Sequence, residues 1–297
     1  MAWIDEKDRF SEYERCCALV DDTLNSYFAE ARPYAKLLDS MRYSLLAGGK
    51  RIRATLCMKF CEAAGKDTAA ALDAACAIEM LHAYSLIHDD LPCMDDDDFR
   101  RGKPSNHIMY GEATALLSGD ALQAAAYETL LSARLPLAAV VEMGRMFAKA
   151  AGPSGICGGQ FLDLDAVGRK VTQTELECMY SLKTASLLSA SAGMGVLAAE
   201  GTREQLEAAK RYALNIGYAF QVRDDVLDCT APTAQIGKPA GSDRDNGKTT
   251  FASLLGIAKC EEIIRDETDK AIMALDGEFD NVDFLTWFAH MLAGRSS

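Results

Sequence analysis

Several things are scarce in this chain, and each scarcity closes off a class of function. There is no C-x-x-C pair among the ten cysteines. Zinc-ligand spacing is therefore missing. The thiols fall mostly within apolar helical patterns and read as small hydrophobes, so a reducing compartment without structural disulfides is expected. Only four histidines are present, His82, His88, His107 and His290, too few for the His-Asp metal sets of helical phosphohydrolases. Basic residues number 31 against 44 acidic, a formal net charge of −13, which argues against a general nucleic-acid or anionic-membrane surface. No run of about 18 apolar residues occurs, so no helix is expected to span a membrane. The opening residues, MAWIDEKDRFSEYERCC, contain neither an apolar signal core nor the Arg/Ser-rich character of a transit peptide. A cytoplasmic protein is expected. No linker, composition shift or internal repeat divides the chain, so residues 1–297 read as a single domain.

What is abundant is helix-forming sequence. Hydrophobic residues make up 49% of the chain, enough for a large core. Segments such as TAAALDAACAIEMLHAYSLIHDD and TREQLEAAKRYALNIGYAFQVRDDVLD place apolar residues at three- and four-residue spacing. Glycine and proline punctuate them at intervals that suit helices of about 12–25 residues. The reading is all-α: one large helical bundle of roughly ten to twelve helices around a central apolar cavity.

Two apolar helices each run into aspartates and then into a glycine-rich stretch with cations. The first gives HDDLPCMDDDDFRRGKP and the second RDDVLD followed by IGKPAGSDRDNGK. Asp224 and Asp228 are four apart and share a helix face, with Asp225 nearby. Paired carboxylates there repel by a few tenths of a kcal/mol, unless a hard divalent cation sits between them. Asp89 and Asp95 are six apart, which fits no regular face, but Pro92 between them lacks the helical N–H, and a break there would bring them together. Either cluster alone is equally an exposed acidic helix end. Both together suggest an acidic cage whose metal ions reverse its sign and bind a diphosphate.

The basic groups fit that idea. AGGKRIR supplies Lys50, Arg51 and Arg53 after two glycines, and Arg100 and Arg101 follow the first acidic run. Glycine allows close backbone approach to an anion, and the cations supply charge-assisted hydrogen bonds. His82 lies two turns before Asp89 on the same face; alone it would read as a satisfied core histidine. Lys183, Lys238 and Lys248 lie further on, and any one of them alone would be a solvated lysine. Metals would draw diphosphate off an allylic carbon and leave a carbocation in a dry, apolar interior.

In these stretches the chain resembles the trans-isoprenyl diphosphate synthases, in particular the bacterial farnesyl diphosphate synthase type. The similar segments are MRYSLLAGGKRIR, HAYSLIHDDLPCMDDDDFRRGKPSNH, GEATALLSGDAL, GGQFLDLD, KTASLL and AFQVRDDVLD through IGKPAGSDRDNGKTTF, in family order from about residue 41 to 255. The resemblance implies that Asp89, Asp90 and Asp95, with Asp224, Asp225 and Asp228, bind Mg²⁺, three ions per active site. It implies that Lys50, Arg53, His82 and Arg101, with Arg51 beside them, hold isopentenyl diphosphate. Arg100, Lys183 and Lys238 then resemble the cations of the allylic site, and Thr184 and Gln221 the oxygen donors near the developing cation. Head-to-tail condensation and a homodimer follow from the same resemblance. Departures are mild: Ala54 stands where proline is common, Ala185 where glycine is, and Phe251 where tyrosine is.

Product length rests on the helix before Asp89. Ser85 lies one turn below Asp89, and Tyr84 slightly deeper, about 7.5 Å from Asp89 along the axis. A bulky residue at that position resembles the fifteen-carbon, farnesyl type, with Tyr84 as floor. DDLPCMD is also similar to geranylgeranyl synthases, so a twenty-carbon product stays open, and the alternative for Tyr84 is an ordinary core tyrosine facing away from the cavity. A terpene cyclase would not need the Lys50, Arg53 and His82 cluster, and a silent partner of another synthase would usually have lost an aspartate motif.

Overall fold

Two stretches of this sequence are apolar on every side, and a helix of that kind has to sit inside the protein. The computed structural model, which describes residues 2–230 and 249–295, places both at the centre. Lys238 and Lys248 lie outside the described residues. The first central helix is α4 (Leu72–Asp89), led in by a 3₁₀ turn at Thr68–Ala71. The second is α10 (Ser186–Ala198).

Around them run α1 (Ala2–Ser26), α2 (Ala35–Leu45), α3 (Ile52–Ala63), α5 (Asn106–Tyr110), α6 (Glu112–Leu131), α7 (Leu137–Ala151), α8 (Ile156–Ala166), α9 (Gln173–Tyr180) and α11 (Arg203–Thr230). The chain ends with α12 (Phe251–Leu255), α13 (Ile257–Met273) and α14 (Asp283–Gly294). Twelve of the described helices have eight residues or more, in line with the all-α expectation. α4 packs on α3 and α6, and α10 packs on α3, α7 and α11. The approach is close: a Cβ on Gly195 of α10 would stand 2.1 Å from the Cys57 carbonyl oxygen of α3.

The helical run from Gln173 to Ala198 is continuous but contains a π turn at Ser181–Ala185. Such turns insert one extra residue and re-aim the side chains they carry, often at functional sites. Here they carry Lys183 and Thr184.

The only described strands, β1 (Phe99–Arg100) and β2 (Lys103–Pro104), pair antiparallel. Their two-residue turn has positive φ at both positions, 54° at Arg101 and 73° at Gly102, the arrangement that matches the twist of a tight hairpin. The hairpin turns the Arg101 side chain back towards the loop before α3.

One sequence expectation needs correcting. Residues Thr68–Asp89 are long and apolar enough, by length and composition, to cross a membrane, with mean hydropathy 1.3 over the best window. Scattered polar residues interrupt the window, although its average is high. In the structure 67% of that window is buried within the bundle, as suits a core helix.

Candidate active site

α4 and α11 each end in aspartates, and both ends open on one cavity of about 750 Å³. Asp89 and Asp95 face it from one side, Asp224 and Asp228 from the other. The break anticipated around Pro92 is present: helix α4 stops at Asp89, and the Asp95 N–H donates to the Asp89 carbonyl at 2.9 Å. Burial pushes the Asp89 carboxyl up to about 6; Lys183 opposes the shift and the negative charge of Asp95 adds to it. Among the described residues, no three acidic, histidine or cysteine side chains already converge on one point. The donor set nevertheless suits Mg²⁺, a hard ion that binds through one or two carboxylates and takes its other ligands from water and phosphate.

Asp90 and Asp225 differ from their neighbours. Asp90 is buried off the cavity wall and accepts from Arg100 Nε at 2.8 Å and from Arg100 Nη2. Arg100 also reaches Asp97 at 3.1 Å, while still lining the cavity. Asp225 is buried and accepts from the Tyr180 hydroxyl at 2.9 Å and from the Phe251 N–H at 2.8 Å. It thereby pins the π-turn helix and α12 to α11.

Cations line the same cavity. Lys50, Arg53, His82 and Arg101 all line the cavity. The Arg101 guanidinium lies over Gly49, where a Cβ would be 2.8 Å from its central carbon, and donates to the Gly48 carbonyl. Only glycine leaves room for it. Arg53 Nη1 is 3.4 Å from His82 Nε2. Burial and then Arg53 hold the His82 imidazole well below its usual range, so it is neutral at physiological pH. Arg53 Nε is buried with no partner among the described residues, the mark of a group awaiting an anion.

Arg51, expected beside the isopentenyl diphosphate site, also lines the cavity, and its side chain is already engaged. Its guanidinium is engaged by Glu79 at 2.9 Å, Asp21 at 2.8 Å and the Leu45 carbonyl at 3.0 Å.

On the π turn, Lys183 Nζ donates to Asp163 at 2.6 Å, and Thr184 Oγ1 donates to Gln221 Oε1 at 2.8 Å. Further wall residues carry no assignment from the sequence, among them Asp163, Gln160, Glu79 and Arg295. Asp163 and Gln160 lie three apart on α8, inside GGQFLDLD, and both carboxamide atoms of Gln160 are buried without a partner among the described residues. Glu79 lies one turn before His82 on α4. Arg295 pairs with Asp224 and stacks on Phe220, 3.6 Å from the ring centroid; a lone arginine near the end of a chain carries no sequence signal.

Ser85 is on the cavity wall, with its hydroxyl donating to the His82 carbonyl at 2.9 Å. Tyr84 is buried but is not a wall residue. Its ring meets His88 edge-on at 5.1 Å, and its hydroxyl is 3.5 Å from Cys157 Sγ. Nor is the cavity apolar throughout: Leu86, Ile156, Met179 and Phe220 supply an apolar part beneath charged walls.

Comparison with known proteins follows the same lines. The sequence model of the family described as Polyprenyl synthetase matches residues 34–283. The chain is 44% identical over 279 residues to farnesyl diphosphate synthase of Geobacillus stearothermophilus, covering 93% of this chain and 94% of the relative. It is 46% identical over 251 residues to the chloroplastic geranylgeranyl pyrophosphate synthase 3 of Arabidopsis thaliana, covering 80% and 69%. Its fold is similar to that of geranyltransferase from Helicobacter pylori, solved in complex with magnesium and isoprenyl diphosphate. The TM-score is 0.83 at 31% identity, with 96% of each chain covered.

Proposed function

The chain belongs to the polyprenyl synthetase family and is a prenyltransferase, and from that premise we propose that it condenses isopentenyl diphosphate with dimethylallyl and geranyl diphosphates, head to tail, to give farnesyl diphosphate. The observation that carries this reading is the convergence of two aspartate-bearing helix ends and a cationic wall on one cavity. A chain of net charge −13 has no general affinity for a diphosphate, so binding requires this local arrangement.

Asp89, Asp95, Asp224 and Asp228 would hold Mg²⁺, three ions per site; the similar geranyltransferase was solved in complex with magnesium. Bound there, Mg²⁺ neutralises the allylic diphosphate and makes it a better leaving group. Asp90 and Asp225 support this set by fixing Arg100 and Tyr180. Arg100 and Lys183 face the allylic diphosphate, with Asp163 holding the Lys183 ammonium in place; Lys238 remains part of this proposal. The oxygens of Thr184 and Gln221 lie where the allylic carbon would develop positive charge, and fixed dipoles are effective in a site that excludes water. Lys50, Arg53, Arg101 and neutral His82 hold isopentenyl diphosphate with its double bond towards the cation. Released diphosphate takes the final proton.

The proposal includes a cytoplasmic homodimer with residues 1–297 as one domain. Exposed Leu117, Leu137, Val141 and Phe161 offer an apolar face for a second copy.

A twenty-carbon product is the second reading. It is favoured by the position of Tyr84 behind the cavity wall and by the similarity to a geranylgeranyl synthase. The test incubates purified protein with Mg²⁺, labelled isopentenyl diphosphate and five-, ten- or fifteen-carbon allylic starters, then sizes the dephosphorylated products by mass-detected chromatography. Farnesol, with little use of the fifteen-carbon starter, is expected. Geranylgeraniol would replace the product assignment and keep the mechanism. No condensation by folded protein would point to a silent partner.

A further inference from the structure

The cationic wall sits at the start of α3, and that start is held in an unfavourable shape. Arg51 is the residue before the helix and has φ +46°, a left-handed conformation rare outside glycine. It persists because side chains from two elements and a backbone carbonyl from a third fix it. From α1, the Tyr13 hydroxyl donates to the Lys50 carbonyl, and Asp21 accepts from Arg51 Nε at 2.8 Å. From α2, the Leu45 carbonyl accepts from Arg51 Nη2. From α4, Glu79 uses both oxygens: Oε2 accepts from Arg51 Nη1 at 2.9 Å, and Oε1 accepts from the Ala54 N–H at 3.3 Å.

The second Glu79 contact is a helix cap supplied from another helix. Ala54 is the third residue of α3, so its N–H has no acceptor within the helix. Ala54 is fully buried, so water does not satisfy it either. A proline here would have no N–H to satisfy; alanine creates the need, and Glu79 meets it. A carboxylate at this end also opposes the positive end of the helix dipole. Lys50 and Arg53 flank this locked segment, and His82 follows Glu79 by one turn.

We infer that Glu79 is a positioning residue for isopentenyl diphosphate, acting through Arg51 and the first turn of α3 to aim Lys50 and Arg53. The inference rests on the assignment of that wall to isopentenyl diphosphate. Two simpler accounts predict otherwise. If Glu79 acted only as a nearby negative charge, removing it would strengthen diphosphate binding. If it served only the fold, its loss would affect both substrates alike.

The experiment compares wild type with Glu79→Gln, Glu79→Ala and Arg53→Lys. KM is measured for isopentenyl diphosphate at saturating geranyl diphosphate, and the reverse, with melting temperature recorded for each protein. In Glu79→Ala the KM for isopentenyl diphosphate rises on the order of tenfold to hundredfold, the range carried by a charge-assisted hydrogen bond, while that for geranyl diphosphate changes less than about twofold. Glu79→Gln, which keeps an acceptor for Ala54 and matches the shape, falls between the two and serves if the alanine variant does not fold. A lowered KM for isopentenyl diphosphate, or a parallel rise for both substrates, overturns the inference. If Arg53→Lys leaves the isopentenyl diphosphate KM unchanged, the assignment of the wall fails and the inference falls with it. If Arg53→Lys raises it and the Glu79 variants do not, the inference alone fails.

Discussion

Gly159→Ala should cost activity far more than stability. A Cβ at Gly159 of α8 would lie 2.2 Å from the Lys183 nitrogen and 2.6 Å from its Cα. Both neighbours are backbone, so no rotamer change relieves the clash. Carbon atoms rest at about 3.5–4.0 Å, so α8 and the π turn must part by about 1 Å. Overpacking of this kind costs ~1–3 kcal/mol, and the better helix propensity of alanine returns up to ~1 kcal/mol. The net is ~1–2 kcal/mol, a fall in Tm of about 2–6 °C. The displaced atoms carry Lys183 and Thr184, and a misplacement of about 1 Å in catalytic geometry costs on the order of 10²-fold. The assay is kcat/KM for condensation beside Tm and far-UV circular dichroism. Gly193→Ala is the matched control: its Cβ meets the flexible Met146 Sδ at 2.8 Å and the Leu206 Cδ1 at 3.1 Å, so it should lower Tm and spare turnover. Gly144→Ala, with its nearest neighbour at 3.8 Å, should be neutral or stabilising. If Gly159→Ala keeps kcat/KM within about threefold of wild type, or loses no more than Gly193→Ala, the close-approach argument is wrong.

Other outcomes follow from the same geometry. Because Tyr84 lies behind the cavity wall, Tyr84→Ala should leave the product mixture unchanged by chromatography, whereas a shift towards twenty carbons would make Tyr84 the chain floor. At pH 7.5 a thiol-specific chromogenic reagent should titrate the exposed Cys93, Cys157 and Cys178 quickly, with Cys157 slowed if a second copy covers it. The buried cysteines should react only after denaturation, because burial holds Cys61 up at about 11 and Cys76 at about 12. Chelation should abolish turnover, and Mg²⁺ with inorganic diphosphate should raise Tm more than Mg²⁺ alone, because Mg²⁺ held by one or two carboxylates would take its other ligands from phosphate oxygens and water. Saturation at about 100 times Kd corresponds to ~2.7 kcal/mol, readable by thermal shift; equal shifts would count against a shared shell.

The helical bundle and both aspartate clusters were legible because each has a local cause. Three- and four-residue spacing sets helices, and Pro92 breaks α4 wherever the rest of the chain goes. Tyr84 shows what spacing alone misses. Four residues before Asp89 on a helix is about 40° away, but five is about 140°. Ser85 therefore shares the cavity face with Asp89, while Tyr84 points behind it, towards Cys157 and His88. Its depth was readable from the rise per residue, and its direction required the turn per residue as well. The sequence also could not separate Arg51 from its neighbours. Lys50, Arg51 and Arg53 are chemically alike, and what distinguishes Arg51 is a left-handed backbone and acceptors 30 residues before it (Asp21) and 28 after it (Glu79). Partners that distant leave no local pattern.

The same comparison explains why so many charges at this site come as pairs. Asp90 is joined to Arg100, Asp163 to Lys183, Glu79 to Arg51 and Asp224 to Arg295. A charge left uncompensated away from water costs several kcal/mol, so breaking a buried pair is expensive even where making it gains little. Each pair therefore restricts where its cation can point, independently of how much it stabilises the fold. The sequence reading treated acidic residues as metal ligands and basic residues as phosphate ligands, two separate sets. In the structure a third set holds the other two in place: Glu79, Asp90 and Asp163 are acidic residues whose partners are the protein's own cations. That is why an acidic chain can present a cationic wall. Its surplus of carboxylates goes partly into aiming a small number of positive charges at one cavity.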